Sequence, residues 1–558
     1  MLGGSMLSQP KRRLCLIFLI FLNNCLWGAD EAKLFERFEK RANEEVLSRE
    51  QDLQIFKPKF ETHNEASDTA ISKQQQAYKN TIVRFQKIEL IGASLLSKNE
   101  KRKLVQPYLN QTITLQQLDC LIAKILQWYF DRGFSTTRAG FKNESFTEKG
   151  ILKIYVVEGK IGKLSIQENG KIRKRFNTVV PFVKEGTFFC LRDYEQALDT
   201  IQRLPSLEAQ LDVIPQEESK SDLIINVKKG KPISFSFGYD NNGSPTYGEH
   251  NYNMGVTFDD LAGLYDLLNI SYHSNERLYR DHYSKTFSIL YSIPCGNHLW
   301  TVSYSDSQFF TQTQGQIQTI IFEGRTQSIS GNWDYILYRS RTCKTQIGLE
   351  LNHKRIRNEI QGLRQITGCR NLTTFQAKLS YMKQMFRGWL STTIRFIRGL
   401  RCNSLNASTD IPTTFHKFAG DVSFIEPLGN TKFQWRLQAL GQYSKDRLYG
   451  SEMMNIGGNA SIGGFEESLY SGECGGYVRN ELCYRFNPCN LGTGELFLGY
   501  DIGRIFRNHT TKEIGSLSGC SCGWRLRGNY FNLECTLSKA LHPRNQKIFF
   551  NFKVGINF

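Results

Sequence analysis

The sequence predicts a transmembrane β-barrel of about 16 antiparallel strands, preceded by two small α/β domains and a short N-terminal helix. From residue 230 to residue 558, helical periodicity is absent and segments of about ten residues alternate polar with apolar side chains. Aromatic residues are abundant, with 24 Tyr and 38 Phe, as is common in β structure. The longest apolar runs stay below the ~18 residues that a transmembrane helix needs, so a membrane crossing must use strands.

Composition and charge exclude two other classes of protein. The chain has 558 residues, of which 40% are hydrophobic, and its mean hydropathy of −0.40 excludes a membrane protein built from many helices. It carries 71 Lys and Arg against 53 Asp and Glu, a net charge of +18. Because these charges are spread evenly along the chain, we interpret them as loop and lumen surface and expect no nucleic-acid partner.

The N-terminus has the layout of a secretory signal. Lys11, Arg12 and Arg13 precede the apolar run Leu14–Leu22, which is too short to cross a membrane as a helix. We therefore predict a signal peptide over residues 1–28. A charged helix with a narrow apolar stripe follows over residues 29–55, and a polar linker over residues 56–79.

Two similar units follow, over residues 80–158 and 159–229. The first is predicted as β-α-α-β-β, with a strand over 82–90, helices beginning at Ser97 and Thr114, and strands over 134–141 and 151–157. The second has a strand carrying Leu164 and Ile166, a helix that ends before Pro205, and strands over 209–214 and 221–227. These units are small domains in tandem.

The strand patterns of residues 230–558 assign two faces to the barrel wall. In the terminal strand Ile548, Phe550, Phe552, Val554 and Ile556 share one face, while Asn551, Lys553, Gly555 and Asn557 share the other. Ile233, Phe235 and Phe237 alternate in the same way with Ser234 and Ser236. We expect the apolar face to contact lipid and the polar face to line an aqueous bore.

Five motifs, in order along the chain, resemble those of the outer-membrane transporters of two-partner secretion. This is the haemolysin secretion/activation family, which belongs to the superfamily of POTRA-plus-barrel proteins. The motifs are YFDRGF (Tyr129–Phe134), VVEGKIGKLSI (Val156–Ile166), the first barrel hairpin (Phe237–Tyr272), IGGFEESLYSGECGGYVRNEL (Ile462–Leu482) and GYDIGRIF (Gly499–Phe506). The terminal Phe558 matches the aromatic end that barrel-insertion machinery reads.

The resemblance implies an outer-membrane pore with two POTRA domains in the periplasm. Such a protein recognises an unfolded exoprotein through its POTRA domains and translocates it to the cell surface. The expected partners are a secreted exoprotein of adhesin or haemolysin type, the barrel-insertion machinery, and outer-membrane lipid and lipopolysaccharide. The transporter is expected to be a monomer. The helix over 29–55 is expected to be a removable plug of the bore, with a free linker helix as the alternative. For client binding we predict Phe85, Ile88, Phe134, Leu164 and Ile166.

Two alternative functions remain open at this point. One is an outer-membrane assembly or insertion factor of the same superfamily, which would normally carry more POTRA domains. The other is a passive porin, which does not need them.

A departure from the family pattern concerns the loop that folds back into the lumen. Where the family has Val-Arg-Gly-Phe, this chain has Ile462, Gly463, Gly464 and Phe465. The family's arginine pairs with a wall aspartate, which Asp501 matches. Asp501 therefore needs another cation or water, and the sequence leaves Arg479 and Arg485 as equal candidates.

Neither catalytic, metal nor cofactor sites are predicted. GSLSG (Gly515–Gly519) places serine at the wrong positions for a nucleophile motif, a phosphate-binding loop is missing, and the nine histidines lack ligand spacing. Twelve of the 14 cysteines follow the signal peptide. Disulfides, inert thiols and a metal site all remain possible for them.

Overall fold

The computed structural model describes residues 82–558 except for a set of short segments. These are 142–145, 148–149, 174–184, 217–218, 245, 276–281, 316–317, 341, 366–367, 407–410, 430, 489–491, 508–512 and 545–546. The predicted signal peptide, N-terminal helix and linker lie outside the described residues. Among the helices that the structure describes, none has the length and apolar character to cross a membrane.

The first small domain packs two helices against a mixed sheet. The central strand of the sheet, Ile151–Val157, lies between Lys87–Ile91, which runs parallel to it, and the antiparallel Arg138–Gly140. The elements are β1 (Ile82–Arg84), β2 (Lys87–Ile91), α1 (Lys98–Val105), a 3-10 turn (Gln106–Tyr108), β3 (Thr112–Thr114), α2 (Leu115–Asp131), β4 (Arg138–Gly140), β5 (Phe146–Thr147) and β6 (Ile151–Val157).

Both helices of this domain begin at capping boxes. The Ser97 hydroxyl accepts a hydrogen bond from the Glu100 amide, and the Ser97 amide donates to the Glu100 carboxylate. Thr114 and Gln117 make the same reciprocal pair. Each box satisfies amides that a helix start leaves unpaired. Five side chains are predicted for the buried face of α2 by their helical spacing. Leu118, Leu121, Ile125 and Tyr129 are buried, whereas Ile122 is half-buried.

Two predicted strands of the first domain are shorter than expected. The strand predicted over 82–90 is interrupted at Phe85 and Gln86, where Phe85 turns into the core and the Gln86 amide donates to Gly150 O. The strand predicted over 134–141 is reduced to β4. Gly133 ends α2 with φ +93°, and the Thr137 amide then donates to Phe134 O, so these residues form a turn.

The second small domain has a four-stranded sheet. Its two central strands, Lys160–Glu168 and Lys220–Lys229, are parallel and lie between the edge strands Lys171–Arg173 and Leu207–Pro215. Its elements are β7 (Lys160–Glu168), β8 (Lys171–Arg173), α3 (Leu191–Gln202), β9 (Leu207–Pro215) and β10 (Lys220–Lys229). Its core is fully buried and includes Ile161, Ile166, Tyr194, Leu223 and Ile225.

The rest of the chain forms a closed antiparallel barrel of 16 strands, as predicted. The wall consists of β11 (Ile233–Asp240), β12 (Asn251–Asp259), β13 (Leu267–Ser274), β14 (His282–Cys295), β15 (His298–Gln314), β16 (Thr319–Ser340), β17 (Cys343–Ile360), β19 (Arg370–Met385), β20 (Gly388–Asn406), β21 (His416–Pro427), β22 (Phe433–Tyr443), β25 (Cys474–Phe486), β26 (Thr493–Phe506), β27 (Glu513–Arg527), β28 (Phe531–His542) and β29 (Ile548–Asn557). The two-residue β18 (Leu363–Arg364) pairs with the end of β17. The pair β23 (Met454–Gly457) and β24 (Ser468–Gly472) forms a separate small sheet.

The wall alternates in exposure as the sequence predicts. Along β26 the side chains of Leu496, Leu498 and Tyr500 are exposed, while those of Glu495 and Asp501 are buried. Exposed apolar residues on successive strands give the wall an outward face suited to lipid, and the polar residues between them point into the bore.

The first and last strands close the barrel. Ser236–Asp240 of β11 pair antiparallel with Asn557–Lys553 of β29. Beyond this register, Phe235 and Phe558 exchange two backbone hydrogen bonds of 3.2 and 2.9 Å. The closure removes the two free edges that an open sheet of this length would leave.

Candidate functional site: the inward loop of the barrel

Residues 450–472 leave the barrel wall and form what we call the inward loop. Strand β22 pairs directly with β25, so the segment between them contributes no wall strand. The loop begins with a 3-10 turn (Gly450–Glu452) and continues as the hairpin β23–β24. Its contacts with the wall are on the inner face.

An apolar cluster seats the loop against the last strands of the barrel. Its buried members are Met454, Ile456, Ile462 and Phe465 of the loop together with Ile505, Leu517 and Ala540 of β26, β27 and β28. Ile462 and Phe465, two of the predicted loop residues, therefore lie where the loop meets the wall.

The tip of the loop contacts Asp501 through its backbone. The Gly463 amide donates to Asp501 Oδ2 at 3.0 Å, and a Cβ on Gly463 would lie 3.3 Å from Ser538 Cβ. Gly464 has φ +90°, and a Cβ there would lie 2.2 Å from the Ala540 amide nitrogen. The paired glycines thus let the loop backbone approach the wall more closely than side chains would permit.

Arg479 supplies the cation that the loop motif lacks. It lies directly opposite Asp501 in the β25–β26 register, with its Nε 3.4 Å from Asp501 Oδ1. Its Nη1 donates to Asn459 O of the loop at 3.2 Å. Arg485, the other candidate from the sequence, lies 3.4 Å from Glu495 instead. The positive charge beside Asp501 therefore comes from the wall.

The base of the loop has a second ionic anchor, which sequence reasoning missed. Glu452 lies between two wall lysines, with Oε1 2.9 Å from Lys354 Nζ and Oε2 2.8 Å from Lys417 Nζ. Lys417 and Gln442 also donate to the Glu452 carbonyl oxygen, at 3.0 and 2.9 Å. The Glu452 side chain is 5% exposed, so this anchor is nearly closed to water.

The alternation of outward and inward side chains along each wall strand was the sequence signal that could have identified the two lysines as facing the bore. Leu351 and Phe418 are exposed on the outer face of β17 and β21, and Lys354 and Lys417 have the opposite parity. Two lysines that point into a bore need anions there. Their shared partner Glu452 lies 98 and 35 residues away in the chain, so only the fold identifies it.

The inner wall carries further ion pairs between strands. Arg436 lies 2.6 Å from Glu495, and Arg525 lies 2.7 Å from Glu481 and 3.2 Å from Glu534. Pairing of this kind gives a polar surface on which opposite charges compensate one another.

In the small domains, three predicted client-binding side chains belong to the cores. Phe85, Ile88 and Ile166 are 3%, 8% and 0% exposed. Phe134 is half-buried against the first core, and Leu164 is half-buried on β7. Because buried side chains cannot meet an incoming chain, the expected surface moves from these residues to the open edges of the sheets.

Glu158, in the motif between the two small domains, is held as a carboxylate. It accepts hydrogen bonds from the Leu95 amide at 2.8 Å, from the Tyr129 hydroxyl at 2.6 Å and from the Ser94 hydroxyl. Burial alone would raise the pKa of this carboxyl, but the three donors outweigh it and lower the pKa below 4.5. The carboxylate thereby ties the end of β6 to α2.

Ten cysteines have described side chains, and none of them forms a disulfide with another: Cys120, Cys190, Cys295, Cys343, Cys369, Cys474, Cys483, Cys520, Cys522 and Cys535. Cys520 and Cys522 share the outward parity of their partners Tyr500 and Leu498. The side chain of Cys402 and the whole of Cys489 lie outside the described part of the chain.

Comparison with known proteins places this architecture. A family model described as "Haemolysin secretion/activation protein ShlB/FhaC/HecB" matches residues 219–526, more than half of the chain. The chain belongs to this haemolysin secretion/activation family. A second model, "POTRA domain, ShlB-type", matches residues 83–159, the first small domain. The chain is accordingly an outer-membrane transporter of two-partner secretion, with its POTRA part in the periplasm.

Relatives and solved structures agree with the assignment. The outer membrane transporter CdiB of Dickeya dadantii strain 3937 is 25% identical over 500 residues, 87% of this chain and 88% of that protein. The hemolysin transporter protein ShlB of Serratia marcescens is 26% identical over 448 residues, 79% of each chain. A structure of CdiB from Escherichia coli has the same fold, with a TM-score of 0.78 at 24% identity over 95% of this chain and 99% of that one.

Proposed function

We propose that this transporter binds an unfolded partner protein at an open edge of its POTRA sheets and passes it through the bore once the inward loop leaves the wall. The observation that carries the proposal is the loop itself, which lies against the inner face of the wall and is attached by polar contacts at Asp501 and Glu452 as well as by the apolar cluster around Ile462. Polar contacts in a wet bore can be exchanged for contacts with water or with a passing chain at small net cost.

Strand β9 offers the clearest edge for client binding. Within the described residues it is the outer strand of the second POTRA sheet, and its Val213 and Ile214 side chains are 36% and 43% exposed. An extended polypeptide adds to such an edge by main-chain hydrogen bonds, with apolar side chains adding contact area. This mode depends little on sequence, as a moving client requires.

The paired charges of the inner wall suit a translocation path. Each amide of a moving chain needs a hydrogen-bonding partner, which a polar wall and its water provide. Ion pairs such as Arg525–Glu481 also keep the wall from presenting strong isolated charges that would retain the client.

The client is proposed to be a secreted protein of adhesin or haemolysin type. Relatives are named as hemolysin transporters and as heme/hemopexin transporters. The segment over 29–55 is proposed as a plug of the resting bore, and Phe558 as the end that insertion machinery reads. The transporter is further proposed to lie in outer-membrane lipid and lipopolysaccharide as a monomer, without a catalytic step of its own.

The test is secretion of an exoprotein encoded beside this transporter, measured in culture medium from cells that express both. Deleting residues 80–228 is expected to abolish release. Replacing Val213 and Ile214 by lysine is expected to reduce release at least several-fold, because two charges at the edge disfavour strand addition. Ile172→Lys on the opposite edge strand β8, where Ile172 is 70% exposed, is the matched control and is expected to secrete normally. Equal release from all point variants would contradict docking at β9.

A further inference from the structure

The turn that follows β11 contacts two parts of the barrel that lie more than 200 residues away in the chain. Its residues 240–244 and Thr246, which we call the clasp, lie beside the closing strand β29 and beside the inward loop. Asn241 makes the contacts with the strand, and Asn242 and Ser244 make those with the loop.

Asn241 extends the closure of the barrel through its side chain. The register between β11 and β29 has five residue pairs and ends at Asp240, whereas β11 and β12 share eight. Beyond that end, Asn241 Nδ2 donates to Phe550 O at 2.8 Å and Asn241 Oδ1 accepts from the Phe552 amide at 2.7 Å. The side-chain amide therefore imitates a backbone unit and occupies groups of β29 that β11 no longer reaches.

The other side of the clasp holds the inward loop. Asn459 Nδ2 donates to Asn242 Oδ1 at 2.9 Å, and the Ser244 hydroxyl donates to Glu467 Oε2 at 2.9 Å. The Thr246 hydroxyl adds a longer contact of 3.4 Å to the same oxygen. These bonds reach both arms of the loop, before and after its glycine tip.

Hydrogen bonds within the clasp brace it internally. Asp240 Oδ1 accepts hydrogen bonds from the Asn242 amide at 3.0 Å and from Asn251 Nδ2 at 2.7 Å. The Gly243 amide donates to Glu249 O, and a Cβ on Gly243 would lie 2.1 Å from Gly248 O. A turn braced in this way moves as a unit, so a shift at Asn242 changes the position of Asn241.

We propose that the clasp couples the docked position of the inward loop to the closure of the barrel between β11 and β29. The docked loop holds the clasp in place, and the clasp in turn holds the end of the β11–β29 seam. Displacement of the loop loosens the seam at Phe550 and Phe552, and loosening of the seam loosens the loop, since coupling between two sites is reciprocal. This inference rests on the proposed function only in assigning the loop a movement during transport.

Hydrogen exchange of the full chain in detergent, without client, tests the coupling. Asn459→Ala removes a loop contact and is expected to speed exchange about fivefold both in the loop (454–472) and in β29 around Phe552, the change that one net hydrogen bond supports. Asn241→Ala is expected to do the same in both places. Asn269→Ala is the matched control, because Asn269 bonds Thr257 between β12 and β13 and touches neither region.

Effects confined to the mutated element would overturn the coupling. If Asn241→Ala fails to assemble, Asn241→Asp keeps the acceptor for the Phe552 amide, removes the donor to Phe550 O, and gives the same measurement. If the two contacts act through one clasp, the double variant Asn241→Ala and Asn459→Ala must change hydrogen exchange by less than the sum of the two single effects. Secretion is measured separately. Normal secretion by variants in which hydrogen exchange of the loop and of β29 does not change together would refute the coupling through the clasp and leave the proposed function intact.

Discussion

Replacing Glu452 by glutamine is expected to detach the base of the inward loop. The change keeps the side-chain volume but leaves the ammonium groups of Lys354 and Lys417 facing each other without their shared anion. The three side chains are 5%, 13% and 10% exposed, so water replaces the lost partner only in part. Removing one member of a buried ion pair costs about 3–5 kcal/mol, and the aqueous bore places this site at the lower end, about 3 kcal/mol.

A loss of about 3 kcal/mol raises the population of the undocked loop by about two orders of magnitude. Hydrogen exchange of β23 in the full chain measures this, because its amides pair with β24 only while the hairpin is formed. Exchange over Met454–Gly457 is expected to be about a hundred times faster in Glu452→Gln. In lipid bilayers the same variant is expected to open its pore more often.

Glu466→Gln is the matched control for this experiment. Glu466 belongs to the same loop, but its pair with Lys547 spans 3.9 Å between side chains that are 46% and 72% exposed. Such a surface pair contributes little, so exchange is expected to change less than about twofold. Replacing both lysines together with Glu452 should restore much of the protection of the β23 amides from hydrogen exchange, because no uncompensated charge remains. Exchange in Glu452→Gln that stayed within about twofold of the wild type would refute the ionic anchor.

Three further changes test the loop tip and the first POTRA domain. Arg479→Gln removes the charged contact to Asp501 and is expected to lower the free energy that holds the loop tip on the wall by about 1–2 kcal/mol. Faster hydrogen exchange of residues 458–465 measures this loss, and unchanged exchange there would contradict the assignment. Gly464→Ala places a methyl group against the β28 backbone at a residue with positive φ and is therefore expected to undock the loop. Undocking is measured as increased basal conductance of the pore in a lipid bilayer, and unchanged conductance would contradict the prediction. Glu158→Gln is expected to destabilise the first POTRA domain by about 2 kcal/mol, seen as faster exchange over Ile151–Val157. Because the pKa of Glu158 is lowered on folding, this carboxylate stabilises the domain fully above pH 4.5, and its contribution is lost as the pH falls further. In acid the stability of the wild-type domain should therefore approach that of the variant. A difference in stability that stayed constant with pH would contradict the assignment.

The barrel could be predicted from sequence because lipid and water impose a strict two-residue period on every wall strand. The alternation of apolar and polar residues in Ile548–Asn557 predicts the lipid-facing and the bore-facing side of this strand without reference to any other strand. The POTRA helices were equally visible, since one buried face of α2 repeats at helical spacing. Local periodicity is enough for both.

The partners of charged residues could not be predicted, because they depend on register between distant strands. Asp501 meets Arg479 and not Arg485 only because β25 and β26 align these two positions. Glu452 was missed for the same reason. Phe85 and Ile88, which we predicted for client binding, are needed for the core, because a domain this small has few other apolar side chains to bury.

The distribution of contacts around the inward loop bears on how this transporter can open. The loop is attached at the base by Glu452, at the tip by Gly463 and at the clasp by Asn459, each through hydrogen bonds or ion pairs. The cluster of Met454, Ile456, Ile462 and Phe465 must in addition leave its apolar contact with β26, β27 and β28. A client chain offers amides that replace the polar contacts one at a time, so the barrier is divided into small steps rather than met at once. A loop fixed by a large apolar interface would have no such stepwise substitute, because exposing it to water costs free energy in proportion to its whole area.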